Sequence, residues 1–443
     1  MLKAAREEIA ERLLTQSFAD QTEVLVNSED FALTRFTQNA IHQNVAHSNS
    51  TVSVRAIIDK RTGVAQTNRL DHGSLQSAVQ RACELAQLAP KDEQTPRLPA
   101  HASYVTPVGA YAEETARATP QLRAEMSEAI FHAAEKERLW AAGYTTTSTG
   151  GITVANSSGA RASFDGTDCA VNIKMNGPDS TGFSEFYGND VSQLDVAGAA
   201  AVAAQKAMRS CRPTAVKPGN WTVIIEPAAF GELLSYLIDH FSAQSYDDGA
   251  SFLSNGLGKR YAGENVTIVD DFSHRLAPGM PFDFEGTATQ KVALLDAGVA
   301  NAVVTDSYWA KKLSRTNTGH ALPAPNAYGP QASHVVVMPG NRSRDELIAD
   351  TQRGLLISRF WYIRTVDQRQ TTVTGMTRDG TFLIENGALG GGVRNMRFNQ
   401  SLLETLRNCE FASEPRRTGG YSYSLVVPAV KVENFQFTSG TDF

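Results

Sequence analysis

Residues 211–220 read Cys211-Arg-Pro-Thr-Ala-Val-Lys-Pro-Gly-Asn220, and this segment divides the chain into two regions of different pattern. Its two prolines and its glycine end the helical pattern that precedes it, because proline cannot continue a helix and glycine favours turns. At 443 residues the chain exceeds the size at which a single hydrophobic core usually stops growing. We therefore predict two domains, 1–210 and 220–443, that meet at this segment.

The amino-terminal region mixes helical and strand patterns. Apolar residues at helical spacing, with capping residues before them, predict helices over 3–14, from an N-cap at Ser74 to Leu88, after Thr119-Pro120, and from Asp195 to Met208. Short β-rich runs between Asn, Ser and Asp clusters predict antiparallel hairpins over 23–26, 31–36, 41–46 and 52–57, and further strands at 152–155 and 170–174 with a turn at 156–159. This domain is predicted to be α+β.

The carboxyl-terminal region is dominated by strand patterns. A strand at 221–225 and a helix over 227–241 are followed by β-rich runs at 266–269, 303–304, 335–338, 355–363, 382–384 and 425–427. The capping box Ser343-Arg-Asp-Glu346 predicts one further helix. We interpret Gly390-Gly-Gly392 as a tight hairpin, since no Lys-Ser/Thr follows to make a phosphate-binding loop. The predicted fold class is α+β, with a mostly antiparallel β carboxyl-terminal domain.

Charge and cysteine content narrow the function classes. The formal net charge is 41 minus 47, or -6, and basic residues cluster only in pairs, which argues against direct nucleic-acid binding. The four cysteines form no C-x-x-C pair, as expected of reduced thiols. No stretch reaches the roughly 18 apolar residues that a membrane span requires, and no secretory h-region is present at the start. We therefore expect a cytoplasmic protein without membrane contact.

Motifs of hydrolytic sites are incomplete in this sequence. The zinc-peptidase pattern His-Glu-x-x-His, which puts two imidazoles and a general base on one helix face, does not occur. The nine histidines are isolated from one another in sequence, so we interpret them as surface or hydrogen-bonded core residues. Gly249-Ala-Ser251-Phe-Leu253 lacks the second glycine of a nucleophile elbow.

Acidic and basic residues of the second half supply the remaining candidates. Seven carboxylates would make a site for a hard cation such as Mg²⁺ or Ca²⁺ if they converged, although turn-forming and solvated acids are the commoner case: Asp239, Asp247, Asp248, Asp270, Asp271, Asp283 and Glu285. Arg359, Arg364 and Arg378 lie in or beside predicted strands and could clamp a peptide carboxylate, with structural ion pairs as the alternative. Asp283, Glu285, Arg359 and Arg378 are the candidates for a peptide-binding cleft.

A set of short motifs in fixed order resembles the TldD/PmbA family, the peptidase-like "modulator of DNA gyrase" proteins. The set runs through Asp248-Gly-Ala-Ser-Phe-Leu253, Gly256-Leu-Gly258, Val269-Asp-Asp271, Pro281-Phe-Asp-Phe-Glu-Gly286, Thr316-Asn-Thr-Gly319, Met338-Pro-Gly340 and Leu383-Ile-Glu-Asn-Gly387. Similar features of the amino half are Arg35-Phe36, Ile41-His-Gln43 and Val54-Arg55. The resemblance spans nearly the whole chain, and the ordered set is far more specific than any one motif.

The zinc-bearing branch of that family carries His-Glu-x-x-x-His on the helix before the Ser-Phe segment, and a cysteine near the carboxyl terminus. The corresponding stretch here is Leu234-Ser-Tyr-Leu-Ile-Asp239, so Leu234, Ser235 and Asp239 stand where the two histidines and the glutamate would be. His240 lies one place beyond and is the remaining weak catalytic candidate. The terminal cysteine position falls near Glu414, and Cys409 lies outside its expected surroundings.

The resemblance therefore implies a PmbA-like subunit that has no metal or other cofactor of its own. Zinc is expected only in a TldD-like paralog, with which this chain would pair to cleave unfolded peptides or process peptide precursors, as a homo- or hetero-dimer. Two alternatives stay open: a stand-alone metallopeptidase with an atypical ligand set, formed by the acids above with His240, and a regulatory peptide-binding protein without enzymatic activity.

Overall fold

The amino-terminal region is built on one six-stranded antiparallel sheet. The computed structural model describes residues 1–254, 256–419 and 424–441. The strands are β1 (Gln21–Thr37), β2 (Ala40–Ile58), β3 (Arg61–Thr67), β4 (Trp140–Asn156), β5 (Arg161–Asn176) and β6 (Thr181–Gly188). They are ordered β3-β2-β1-β4-β5-β6. The predicted antiparallel pairing is therefore present, but β1 and β2 are single strands of 17 and 19 residues and not the four short runs predicted.

The long strands continue through polar stretches that resemble turns in the sequence. Ser28, Glu29 and Asp30 pair in unbroken register with Ser50, Asn49 and Ser48, so the main-chain ladder does not depend on apolar side chains. The turn falls instead at Gln38-Asn39, where both residues have positive φ. A polar cluster in a long hairpin can thus be part of a continuous strand.

Helices cover one face of this sheet. They are α1 (Lys3–Gln16), α2 (His72–Leu88), α3 (Glu113–Ala116), α4 (Pro120–Lys136) and α5 (Val196–Arg209), with a 3₁₀ turn at Val191–Gln193. The predicted caps Thr119 and Asp195 each accept a main-chain N–H of the first turn. The N-cap of α2 is Asp71 and not Ser74: its carboxylate accepts from Ser74 N at 2.9 Å, so the helix begins three residues earlier than predicted.

The carboxyl-terminal region contains a closed barrel and a second sheet. Its strands are β7 (Gly219–Ile225), β8 (Ile268–Asp270), β9 (Val292–Asp296), β10 (Val299–Ala300), β11 (His334–Val337), β12 (Arg353–Asp367), β13 (Thr372–Glu385), β14 (Ala388–Gly392), β15 (Met396–Ser401), β16 (Cys409–Phe411), β17 (Arg416–Thr418), β18 (Ser424–Val427) and β19 (Val430–Gly440). Its helices are α6 (Pro227–Ser235), α7 (Ala243–Asp247), α8 (Ser307–Lys312), α9 (Arg344–Ala349) and α10 (Leu402–Arg407), with a 3₁₀ turn at Ile238–Phe241.

The barrel closes because β12 pairs with both β7 and β13. The ring runs β12-β7-β19-β15-β13 and returns to β12, with β14 and β16 attached to it. Four phenylalanines fill its interior with ring centroids 4.8 to 5.9 Å apart: Phe360, Phe398, Phe435 and Phe437. The second sheet has the order β10-β9-β8-β11-β18-β17 and is antiparallel except where β11 and β18 pair. The α+β class and the β-rich carboxyl-terminal region are both confirmed.

Two local predictions in this region need correction. The helix predicted over 227–241 breaks after Ser235, and a 3₁₀ turn completes it. Gly390–Gly392 lies in strand β14, and the hairpin turn is Asn386-Gly387, with positive φ at both residues as a type I′ turn requires. Gly392 is a place of close approach, because a Cβ there would lie 2.7 Å from Ser210 Cα. The capping box at Ser343 and Glu346 is confirmed.

Among the described residues, ion pairs join the two regions at four places. Each one links a residue of the amino-terminal sheet or its helices to a residue of the carboxyl-terminal region: Arg55–Glu285, Lys174–Asp379, Lys206–Glu226 and Arg417–Asp168. Since several of these side chains are largely buried, the ion pairs fix the position of one region against the other. None of the helices in the described parts of the chain has the length and apolarity of a membrane-spanning helix.

Candidate functional site

A cleft of about 490 Å³ lies between the open face of the amino-terminal sheet and three loops of the carboxyl-terminal region. The sheet contributes alternate residues of β4 and β5, among them Ser148, Ile152 and Phe164. The opposite wall is formed by residues 280–284, 319–322 and 333–334, with 417–419 and 424 at one side. Clefts between domains are common places for ligand sites in proteins.

The floor of the cleft follows from the register of β4 and β5. Alternate residues of a strand point to the same face, and β4 pairs with β5 without a register shift. Ile152 lies opposite Phe164, Gly150 opposite Gly166, and Ser148 opposite Asp168. The floor therefore changes along the strands from large apolar residues, through a pair of glycines, to polar residues.

We call the first part of the cleft its apolar end, which consists of Ile152, Phe164, Met280, Phe282 and Phe284. Phe282 is buried, whereas the other four are only partly buried and so keep carbon surface toward the cavity. The ring of Tyr104 packs against Phe282 with centroids 5.1 Å apart, and its hydroxyl donates to Gly286 O at 2.6 Å. The apolar end is thus held in place from behind.

Asp283 lies between two phenylalanines of the apolar end and organises the loop around it. Its Oδ1 accepts from the N–H groups of Glu285 and Thr287 at 3.0 and 2.9 Å, and its Oδ2 accepts from Ala321 N at 3.0 Å. Burial and the neighbouring charge of Glu285 hold the pKa of Asp283 well above its usual range, against the effect of these hydrogen bonds. This carboxyl group fixes the wall of the cleft.

Glu285 points away from the cleft into an ion-pair cluster. Arg55 donates to Glu285 Oε1 at 3.0 Å and to Glu23 Oε2 at 2.6 Å, and Glu23 lies directly opposite Arg55 in the β1–β2 ladder. Ser307 N donates to the second oxygen of Glu285 at 3.1 Å. Burial raises the pKa of Glu23 to about 7 although Arg55 opposes the shift. Two buried carboxylates here share one guanidinium.

A second buried pair supports the 319–322 wall. Asp270 Oδ1 lies 3.2 Å from His320 Nε2, and its Oδ2 accepts from His334 N at 3.0 Å. Burial alone would raise the pKa of Asp270, but the two histidines outweigh it and the pKa is lowered. Nδ1 of His320 lies 2.9 Å from Thr318 Oγ1, which fixes the ring from the other side. Burial also lowers the pKa of His334, whose ring lines the cleft.

The polar side of the cleft is closed by Arg417, which comes from the carboxyl-terminal region. Its guanidinium pairs with Asp168 on β5 and donates to Asn189 Oδ1 at 3.0 Å. The pKa of Asp168 is raised, mainly by burial and in spite of Arg417. The charges at this side are therefore matched between the amino-terminal and carboxyl-terminal regions.

Arg359 and Arg378 lie apart from Asp283 and Glu285, so the four cleft candidates do not form one group. Both arginines lie next to the buried Asp379. Arg359 donates to its carboxylate at 3.0 Å, and Arg378 lies 3.9 Å from it. Lys174 pairs with the same carboxylate at 2.8 Å. Their guanidinium groups stack on Phe183 and Trp361, at 4.5 and 4.2 Å from the ring centroids. Arg364 donates to Ile363 O at 2.7 Å. These contacts are structural ion pairs and stacking.

The seven carboxylates proposed as possible cation ligands do not converge on one site. Asp239 is exposed, Asp247 pairs with Lys312 at 2.8 Å, and Asp271 pairs with Lys291 at 2.7 Å. Asp248 is the C-cap of α7, while Asp270, Asp283 and Glu285 are bound as described above. Across 1–254, 256–419 and 424–441, no group of three His, Cys, Asp or Glu side chains is arranged to hold a metal ion.

The positions that match the zinc motif do not fit a metal. Leu234 is packed in the main apolar core, the hydroxyl of Ser235 donates to Glu232 O at 2.7 Å, and Asp239 is exposed. His240 is buried: its Nδ1 accepts from Phe252 N at 3.3 Å, and burial lowers its pKa to about 4. Such an imidazole is neutral and belongs to the core.

The carboxyl-terminal counterparts are no better suited to zinc. Glu414 is exposed. Cys409 donates its thiol to Leu406 O at 3.5 Å, and burial raises its pKa to about 12.

Sequence reasoning missed most residues that shape the cleft. Asp168 and Arg417 are 249 positions apart, and Asp270 and His320 meet only because β8 and the 319–322 loop are neighbours in the fold. Asp270 is one of the seven candidate cation ligands and His320 one of the nine isolated histidines, but no local spacing connects them. The one usable signal was the alternation of small residues on β4, Thr146, Ser148 and Gly150, which is typical of a sheet face that something approaches closely.

Comparisons with known proteins match both regions. A family model for the PmbA/TldA metallopeptidase C-terminal domain matches residues 218–439, and one for PmbA/TldA metallopeptidase domain 1 matches residues 22–86. A metalloprotease of Methanothermobacter thermautotrophicus is 26% identical over 222 residues, which are 48% of this chain and 47% of the relative. A metalloprotease PmbA homolog of Haemophilus influenzae is 28% identical over 186 residues, 39% of this chain and 37% of the relative. The matched segments thus cover about half or less of these curated relatives.

Solved structures share the whole fold at low sequence identity. TldE from Thermococcus kodakarensis superposes with a TM-score of 0.89 at 24% identity, over 98% of this chain and all of that one. A proposed modulator of a DNA gyrase from Thermotoga maritima superposes with a TM-score of 0.86 at 17% identity, again over 98% and 100%. At these identities the likeness concerns the fold.

Proposed function

This chain belongs to the PmbA/TldD metallopeptidase family, and on that premise we propose that it is a PmbA-like subunit which binds unfolded peptide but does not activate water itself. A zinc-bearing TldD-like paralog would supply the hydrolytic chemistry in a dimer with this chain. The site of peptide binding would be the cleft between the two regions, and the compartment would be the cytoplasm.

The observation that carries the proposal is the shape and chemistry of the cleft. Its floor is a sheet face with small residues in the middle. Its apolar end exposes carbon surface, and its opposite, polar side carries the Arg417–Asp168 pair. An unfolded peptide offers the same mixture, with polar main-chain groups and apolar side chains at alternating positions. Binding of an extended segment across this face would bury both.

The residues at the motif positions support the non-metal part of the proposal. Leu234 has no lone pair to offer, and it lies in the core behind the helix where the first imidazole would be needed. Placing a histidine at position 234 would require a different core. His240, the candidate for an atypical site, faces Phe252 with its ring centroid 5.2 Å away and does not line the cleft.

Residues of the cleft would bind and orient peptide. Asp283 holds the 284–287 turn and the 321 main chain in place, and the Asp270–His320 pair holds the same wall from the side of the second sheet. Arg417 closes the polar side while its charge is balanced by Asp168. Walls fixed by buried hydrogen bonds present a rigid surface, which lowers the entropy lost when a flexible peptide binds.

The test is reconstitution with purified components. The full-length chain, a zinc-bearing paralog containing His-Glu-x-x-x-His, and an equimolar mixture are each incubated with an unfolded reporter peptide. We expect cleavage by the mixture, none by this chain alone, and loss of cleavage when the paralog is stripped of metal. Elemental analysis of this chain should find no stoichiometric zinc.

Two outcomes would contradict the proposal. Chelator-sensitive cleavage by this chain alone, with about one zinc per chain, would establish a stand-alone metallopeptidase. Peptide binding that never leads to cleavage with any paralog would favour a regulatory binding protein.

A further inference from the structure

Gly150 in the floor of the cleft leaves room beside the apolar end. Gly150 lies between Ser148 and Ile152 on the same face of β4, yet it carries no side chain into the cavity. A Cβ built at Gly150 would meet nothing closer than Ser28 O at 3.9 Å, and φ there is not positive. Glycine is therefore not required by the backbone at this position. Its absent side chain leaves open space in the groove.

Phe164 borders that space on the neighbouring strand. A Cβ at Gly166 would lie only 3.0 Å from the ring of Phe164, so this ring lies above Gly166 and forms one side of the recess. Ile152 closes the recess along β4, and Met280 and Phe284 lie across from the sheet. The result is a recess with a main-chain floor and carbon walls.

Charged groups near the recess, apart from Glu29, are already engaged. Both oxygens of Asp283 accept main-chain N–H groups, and Asp168 is paired with Arg417. Glu29, opposite Gly150 on β1, lies 3.6 Å from His47 Nε2. Glu29 is half exposed and its partner is an exposed histidine, so its charge would repel an anionic guest and attract a cationic one only weakly through solvent. The chemistry that fits is a neutral, apolar side chain, which gains most from leaving water.

We propose that the recess formed by Gly150, Ile152, Phe164, Met280 and Phe284 is a subsite for one large apolar side chain, such as Phe or Leu, of an extended peptide. This inference rests on the proposed function and adds selectivity to it. Removing one such side chain from water is worth about one to two powers of ten in affinity.

The experiment measures binding of labelled host–guest peptides to the full-length protein by fluorescence anisotropy. The host is a flexible Gly/Ser/Asn sequence, and the central guest is Phe, Leu, Ala, Lys or Asp. We expect Phe and Leu peptides to bind about tenfold or more tightly than the Ala peptide, with Asp the weakest. Gly150→Phe, which fills the recess, should abolish this preference.

A matched control and a second variant keep the test decisive. Gly391 on β14 is exposed, and a Cβ there meets nothing within 4 Å, so Gly391→Phe adds the same group away from the cleft and should leave the preference intact. If Gly150→Phe fails to fold, Phe164→Ala removes one wall without adding volume and should reduce the preference several-fold. Circular dichroism of each variant reports folding.

The outcomes separate the two proposals. Failure of every guest peptide to bind contradicts the proposed function as well as the subsite. Binding with equal affinity for all guests, or tightest binding of Lys, contradicts the apolar subsite alone. A preference that survives Gly150→Phe places the selective pocket elsewhere and overturns the assignment.

Discussion

Substitution of Glu23 by glutamine tests whether the cluster at the domain boundary stores a proton. Glu23 and Glu285 share one guanidinium, Arg55, and the side chain of Glu23 is only 5% exposed. The 2.6 Å bond from Arg55 favours the ionised form, but burial is the larger effect and raises the pKa of Glu23 from 4.5 to about 7. The cluster has one more carboxylate than cations, which is the reason to hold a proton there.

The sign of the pH dependence follows from that shift. Below about pH 4.5 the group is protonated in both the folded and the unfolded chain, and its contribution to stability is fully present. Between about 4.5 and 7 the unfolded chain releases the proton while the folded chain keeps it, so stability falls as pH rises. A shift of about 2.5 units at about 1.4 kcal/mol per unit corresponds to a loss of roughly 3 kcal/mol.

The assay compares urea unfolding of wild type and Glu23→Gln from pH 5 to pH 8, followed by tryptophan fluorescence and by circular dichroism. Coincident transitions establish that unfolding is two-state at each pH. The free energy of unfolding of wild type should fall relative to the variant by about 2 to 3 kcal/mol over this range, because glutamine cannot titrate. Glu8→Gln, at an exposed position of α1, should run parallel to wild type. Parallel curves for Glu23→Gln would refute the reasoning and show that Arg55 keeps Glu23 ionised.

Two further predictions concern His240 and the domain boundary. His240→Ala should lower the free energy of unfolding by about 2 to 4 kcal/mol, because it removes a buried ring and a hydrogen-bond acceptor. Peptide affinity and reconstituted cleavage should stay unchanged. Loss of cleavage with unchanged stability would instead give His240 a catalytic role. Limited proteolysis should cut first within 211–220, giving fragments of about 210 and 225 residues that stay together in gel filtration because four ion pairs join the two regions. Arg212 and Lys217 both precede proline, so a broad-specificity protease is needed in place of trypsin; stable pieces from another cut would move the boundary.

Local chemistry explains which elements the sequence could predict. Thr119, Asp195 and the Ser343–Glu346 capping box specify helix starts through contacts within three residues, and all three starts are confirmed. The sequence predictions were wrong where residues that favour turns can also lie within a strand. The Asn/Ser/Asp cluster near residue 28 favours turns in isolation, but a long partner strand holds it in the ladder. Gly390–Gly392 can turn, but Asn386-Gly387 turns more readily.

The cleft could not be predicted in the same way, because its residues are brought together by docking of the two regions. Asp283 and Glu285 were singled out in the sequence, yet their different environments are decided by groups far along the chain: Ala321 N for one and Arg55 for the other. Arg359 and Arg378 have the right charge for a peptide carboxylate, but both lie against the buried Asp379. Charge and residue type alone did not distinguish a wall of the cleft from a structural ion pair.

The contacts that join the two regions therefore also determine the shape of the cleft. Arg417 belongs to the carboxyl-terminal region and closes the cleft by pairing with Asp168 of the amino-terminal sheet, and Glu285 ties the 281–286 turn to Arg55. The apolar end is made from both regions, since Ile152 and Phe164 come from one and Met280 and Phe284 from the other. A peptide bound there would contact both regions at once, so it would stabilise their docking by the same free energy with which docking favours peptide binding.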